Sequence, residues 1–263
     1  MSSACPRVSV VTINYNMGDC LEKTITSTIA QTYPNLEYIV VDGASRDTSI
    51  AVIERYAHKI TKWTSERDRN LYDAMNKGVA MATGDWLLFM NSGDHFTDEK
   101  VIDDIFSNDL TGEDVVYGNV VWRYPRQNIE KIIHADAPET LPARMFCSHQ
   151  SLFARTDLLR QHPMDLELLI SDYDFLVWCL SEGKRFRFVD RVIASIAKGG
   201  RSDIARSLVL RQQQQVLAKY GLLTWPRRIR YPFAVIVSNI LLAIREALPR
   251  QLAHWMLSRK LGD

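Results

Sequence analysis

Short apolar, β-branched runs alternate along the first third of the chain with stretches whose apolar positions recur every three or four residues. Residues 8–13 read Val-Ser-Val-Val-Thr-Ile, the near-continuous apolar pattern of a strand covered on both faces. Residues 38–41, 60–64 and 86–90 repeat it. Between them lie helical patterns at about residues 19–31, 48–57 and 71–82. In the last, Leu71, Met75, Val79 and Ala82 recur on one face. Strands and helices alternating at this length predict an α/β fold, a mainly parallel sheet with helices on both faces.

Beyond residue 114 the pattern changes. Two short alternating strands, 115–117 and 120–122, sit among polar loops, followed by a helix near 172–182 and a strand over 186–196. After Gly200 the chain turns helical, basic and aromatic. Residues 231–244 form an apolar run of 14, preceded by Arg227, Arg228 and Arg230 and closed by Arg245. A spanning helix needs roughly 20 residues. The run is therefore either packed on the core or laid in a membrane interface with its arginines near lipid phosphates. The division expected is a domain over residues 1–202, with a nucleotide-binding half at 7–94 and an acceptor half at 95–202, then a helical segment at 203–263.

Composition narrows the class rather than the function. The chain has 263 residues, 46% hydrophobic and 24% charged, enough for a substantial core. A net charge of +1 argues against nucleic acid as a partner, so any anion site is built locally. Cys5, Cys20, Cys147 and Cys179 show no C-x-x-C spacing and read as small buried hydrophobes with free thiols. Residues 1–6 carry no charged leader and the run at 8–13 is too short for a signal sequence, so a cytoplasmic protein is expected.

Ligands of open parallel sheets bind at the carboxyl ends of the strands. There the four strands deliver Asn14-Tyr15-Asn16, Asp42-Gly43-Ala44-Ser45, Ser65-Glu66-Arg67-Asp68 and Asn91-Ser92-Gly93-Asp94. One such residue would be a cap or turn former; four together mark a pocket. Neither G-x-G-x-x-G nor a P-loop is present, so a diphosphate held here needs a divalent cation or cationic donors. Asp94 offers oxygen suited to Mg²⁺ or Mn²⁺. Asp42 is placed to accept an N–H from uracil or guanine.

These motifs, with Asp73-Ala74-Met75-Asn76-Lys77-Gly78 and Gly84-Asp85-Trp86, resemble the family 2 glycosyltransferases of GT-A fold, most of all the bacterial exopolysaccharide and colanic-acid type. The likeness runs from about Arg7 to Ser202. It implies that Tyr15 stacks on the nucleobase and Asp42 holds its N–H. It implies that Glu66 and Asp68 line the nucleoside pocket, with Asn91 at the donor. It places Asp94 as the metal ligand, although the family's central aspartate is Gly93 here. His149 and Gln150 match an element near the acceptor and diphosphate, and Arg201 lies in a loop that closes over the donor. Asp172 matches the general base; Asp174 is its rival two positions on, and a helix cap is the alternative role for Asp172.

The function so implied is inverting transfer of a hexosyl or deoxyhexosyl group from a UDP- or GDP-linked donor to a saccharide hydroxyl. The acceptor expected is lipid-linked, in bacterial surface polysaccharide synthesis at the inner face of the membrane. A sugar nucleotidyltransferase and a non-catalytic nucleotide-sugar-binding module are the two rivals. The first would need a glycine-rich basic loop after strand one, which residues 14–19 lack.

Overall fold

The structure is a computed structural model that describes residues 5–125, 128–197 and 206–225. The alternating pattern becomes β1 (Val8–Asn14), α1 (Gly18–Ile29), β2 (Leu36–Asp42), α2 (Ser49–Tyr56), β3 (Lys62–Ser65), α3 (Leu71–Met81) and β4 (Trp86–Phe89). There follow β5 (His95–Phe96), α4 (Val101–Phe106), β6 (Val115–Tyr124), β7 (Ile129–Ile133), β8 (Leu152–Arg155), α5 (Thr156–Gln161), α6 (Ser171–Ser181), β9 (Phe186–Ala197) and α7 (Arg206–Lys219). One nine-stranded sheet runs through them in the order β3-β2-β1-β4-β8-β6-β9-β5, with β7 paired to β6. The first four strands are parallel. β8 enters antiparallel to β4 and to β6, which lies parallel to β9. The α/β fold with a mixed, mainly parallel sheet is thus present.

Side chains that alternate along a strand split the core into two layers. Val11, Ile13, Ile39, Val41, Leu87 and Phe89 face α3 and α6. Val8, Val10, Tyr38, Val40, Leu88 and Met90 face α1, α2 and α4. Both faces being covered is why these strands read as continuous apolar runs. The two strands expected at 115–122 are one, β6, interrupted by a register irregularity around Asn119. Cys5 and Cys20 are exposed, against the expectation of buried thiols; Cys179 is buried.

Residues 231–244 lie outside the described residues, as does the question of what covers them. Among the described residues, no helix is long and apolar enough to cross a membrane.

At the end of the sheet away from the strand-end motifs, Glu37 is wholly buried. It accepts hydrogen bonds from Ser9 Oγ (2.6 Å), Thr83 N (2.7 Å) and Thr83 Oγ1 (2.8 Å), with Lys62 Nζ at 3.2 Å. Burial alone would raise its pKa, but these donors outweigh it and hold the carboxyl at about 2. A depressed carboxyl contributes stability in full above its unfolded value and loses it as the pH falls through the folded one. Acid should therefore erode the fold between about pH 4.5 and 2, by about 3 kcal/mol from this group. In Glu37→Gln, thermal melts across that interval are expected to fall less steeply than in wild type.

Candidate active site

The ends of β1 and β2 lie side by side, Asn14 opposite Asp42. Asp42 is fully buried and its two oxygens are taken by protein donors. Asn14 Nδ2 (2.7 Å) and the Ser45 hydroxyl bond to Oδ1, while Ser45 N (2.9 Å) and Ser65 Oγ (2.7 Å) bond to Oδ2. A carboxylate has about four acceptor positions. Asp42 thereby ties β1, β2 and β3 together at the rim.

The loops above Asp42 are cross-tied. Asn16 N donates to Ser45 Oγ and Arg46 N to Asn16 Oδ1, each at 2.8 Å. Asn16 and Ala44 both take left-handed backbone, φ 49° and 59°. Side chains rarely adopt that region unless their surroundings impose it. Asp47 caps two helices at once, accepting from Gly18 N (2.8 Å) and Ser49 N (3.0 Å).

These ties present Tyr15 to solvent, 65% exposed at the rim. Gly43 lies between it and Asp68. A Cβ there would sit 2.9 Å from Asp68 Oδ2 and 3.1 Å from Tyr15 Cδ2. Only a glycine leaves the backbone open beside the ring. Lys77, on α3, bonds to Asp68 Oδ1 (2.7 Å) and pairs with Glu66 Oε1 (2.9 Å). Burial lifts the Asp68 carboxyl above its ordinary range, with Lys77 opposing. Glu66 and Asp68 thus meet on Lys77, and Tyr15 and Asp68 flank Gly43.

After β4, residues 91–94 turn tightly. Gly93 has φ 94°, a conformation unfavourable to an aspartate at this position. Its N–H donates to Thr24 Oγ1 (2.9 Å), whose hydroxyl donates to Asp94 O (2.7 Å). The Asp94 carboxylate is 7% exposed and accepts Gln150 Nε2 (2.7 Å) and Ala197 N (3.0 Å). Burial raises its pKa despite those donors. Each oxygen keeps one position free, which suits a cation bound by one carboxylate and a substrate's phosphates. Among the described residues no three His, Cys, Asp or Glu side chains are grouped as a ligand cage.

Asp172 lies in the first turn of α6, with its side chain 22% exposed. Oδ1 accepts Tyr173 N (3.0 Å) and Tyr72 Oη (3.2 Å), and Oδ2 contacts His149 Nδ1 at 3.1 Å. Burial would raise this carboxyl, but the contacts with His149, Tyr173 N and Tyr72 prevail and hold it below the usual range. Asp172 is thus an ionised, accessible carboxylate. His149 and Gln150 occupy one short turn between β7 and β8. Gln150 is buried and donates to Asp94 Oδ2. Asn91 lies beside this turn, its Nδ2 3.0 Å from His149 Nε2.

Asp174, the rival base, is 1% exposed and committed elsewhere. Its Oδ2 meets His162 Nε2 at 2.7 Å and its Oδ1 accepts Lys219 Nζ at 3.1 Å. His162 stacks on Trp178, with centroids 4.8 Å apart and planes 8° off parallel. This knot fastens α6 to α7. Asp174→Ala is expected to cost about 2–4 kcal/mol in urea denaturation, because a buried partner set loses its acceptor. Titrations with nucleotide should show unchanged affinity in the folded variant.

Arg201 and the loop around it lie outside the described residues. Lys77 and Tyr72 were given no role in the sequence, and Asn14 was read only as a strand-end amide. Of these, only Lys77 carried a signal, a cation one helical turn beyond Asp73.

Comparison with known proteins fits this geometry. The profile of Glycosyl transferase family 2 matches residues 9–172, ending on Asp172. A glycosyltransferase of Mycobacterium tuberculosis is 44% identical over 103 residues, 39% of this chain and 39% of that relative's length. A PGL/p-HBAD biosynthesis glycosyltransferase of Mycobacterium bovis is 29% identical over 205 residues, 75% of this chain and 79% of its own. Among solved structures, a mannosyltransferase from Pyrobaculum calidifontis in complex with GDP-Man and Mn²⁺ superposes with TM-score 0.67, at 18% identity over 98% of this chain and 80% of that one. Staphylococcus aureus TarS in complex with UDP-GlcNAc gives TM-score 0.65, at 18% identity over 80% and 66%. The folds agree at identities too low to carry a substrate across. With the profile spanning more than half of its length, the chain belongs to glycosyl transferase family 2.

Proposed function

We propose that the chain is an inverting glycosyltransferase using a nucleotide-diphosphate sugar. The supporting observation is the turn at His149 and Gln150, which brings an ionised carboxylate, Asp172, and a second one, Asp94, to the same rim. The nucleoside would stack on Tyr15 beside Gly43 and Asp68. Asp94 would hold Mg²⁺ or Mn²⁺ together with the diphosphate, and the bound cation would offset the charge that builds on the leaving group. Asp172 would take the proton of an acceptor hydroxyl as its oxygen attacks the anomeric carbon from the face opposite the nucleotide. Attack from that face inverts the anomeric centre. Arg201 would add a diphosphate contact.

The acceptor in this reading is a lipid-linked saccharide of a bacterial surface polysaccharide, with residues 203–263 toward the membrane surface. The experiment is a screen of UDP- and GDP-sugars with Mn²⁺, scored by slow hydrolysis without acceptor and by titration of UDP and GDP. Turnover of one donor supports the reading. Tight binding with no turnover of any donor would leave a binding module instead.

A further inference from the structure

Residues four apart on a helix share a face, and α3 uses two neighbouring faces for two different grips. Asp73 and Lys77 share the first, from which Lys77 holds Asp68 Oδ1 (2.7 Å) and Glu66 Oε1 (2.9 Å). Tyr72 and Asn76 share the second, about 100° round the helix. That face meets residues 164–172, the segment that leads into α6 and ends on Asp172.

Asn76 is bonded twice to one residue. Its Nδ2 donates to Met164 O and its Oδ1 accepts Met164 N, both at 2.8 Å. A carbonyl only accepts and an N–H only donates, so a single orientation of the amide satisfies both. Asn70, the cap of α3, is used as fully. Its Oδ1 accepts Tyr72 N (3.0 Å) and Asp73 N (3.1 Å), while Nδ2 donates to Leu166 O (2.7 Å). The Tyr72 hydroxyl lies between Leu169 O, 2.9 Å away, and Asp172 Oδ1, 3.2 Å away, and its one proton serves both acceptors. Three side chains of α3 thus hold the segment at Met164, Leu166 and Leu169. From the other side, Gln212 of α7 accepts Leu169 N at 2.8 Å.

We propose that Asn76 and Tyr72 are positioning residues that fix the base Asp172 against the donor pocket, with α3 as the strut between the two. This rests on Asp172 being the base. The strut runs from the carboxylates beside Tyr15 to the carboxylate at the acceptor, so one rigid element sets how far the attacking oxygen stands from the donor. A misplacement of about 1 Å in such a distance can cost on the order of 10²-fold in rate.

The test compares Asn76→Ala and Tyr72→Phe with wild type in the full-length chain. The reaction followed is slow hydrolysis of a radiolabelled nucleotide sugar, in which water stands in for the acceptor hydroxyl, with matched thermal melts. Tyr72→Phe removes only the hydroxyl and keeps the buried ring. Asn76→Ala is expected to lower kcat by about 10- to 100-fold and Tyr72→Phe by about 3- to 10-fold, with donor KM within about twofold in each. Removing the base should erase both effects. In the Asp172→Asn background each change should cost less than about twofold more. A loss of the same size in both backgrounds overturns the inference, as does a kcat that stays at the wild-type value. Should Asn76→Ala not fold, Tyr72→Phe decides by the same criteria. Full turnover in Asp172→Asn, or no turnover of any donor by wild type, instead sinks the reading of the base or of the activity, and this inference with it.

Discussion

Asp172→Asn is expected to retain fold and donor affinity while kcat falls by about 10²–10⁴. Asparagine keeps the size of the side chain, and its oxygen can still accept Tyr173 N and Tyr72 Oη, which bond to Oδ1 at 3.0 and 3.2 Å. What it cannot do is take a proton. A group that acts only on the acceptor should alter the chemical step and leave donor binding alone. The measurement is kcat and donor KM with matched thermal melts. A helix cap would be replaced nearly as well by Asn, so retained turnover would return Asp172 to a purely structural role. Asp174 offers no second candidate, since His162 and Lys219 hold it 1% exposed.

The second large effect is expected at Asp94. Removing its carboxylate in Asp94→Ala should lower transfer by about 10²–10³, the scale on which leaving-group charge stabilisation acts. The same change frees Gln150 Nε2 and Ala197 N, so a stability loss of about 1–3 kcal/mol should accompany it. Titration separates the two effects. Wild-type affinity for a nucleotide diphosphate should rise on adding Mn²⁺, and the variant's should not. Full wild-type turnover in excess EDTA would remove the metal from the reaction.

Much of the architecture was legible because the two core layers impose a near-continuous apolar pattern on β1, β2 and β4. β5 and β7 were not, being short strands at the sheet margin, nor was β8, which is central and largely buried but only four residues long. For the site, residue type and place were readable but direction was not. Asp42 sits where an open acceptor was expected, yet Ser45 and Ser65 close on it, and nothing in the order of residues says which way a hydroxyl turns. The contacts of Asn91 with His149 and of Gln150 with Asp94 could not be read from the sequence. Their partners lie 58 and 56 residues away, beyond any local pattern. Asp172 and Asp174 differ by two positions, about 200° around a helix, and only the packing of α7 tells them apart.

The turn at His149 and Gln150 acts as a ruler. Adjacent residues carry the grips on Asp172 and on Asp94, so in the proposed reaction the span between where a nucleophile would be armed and where a leaving group would be quieted is tied to one peptide unit. Widening the cleft at this turn for a bulkier acceptor would drag both ends together. Diversification toward new acceptors therefore has to proceed through residues that touch neither carboxylate, leaving the gauge of the reaction unchanged while the walls around it vary.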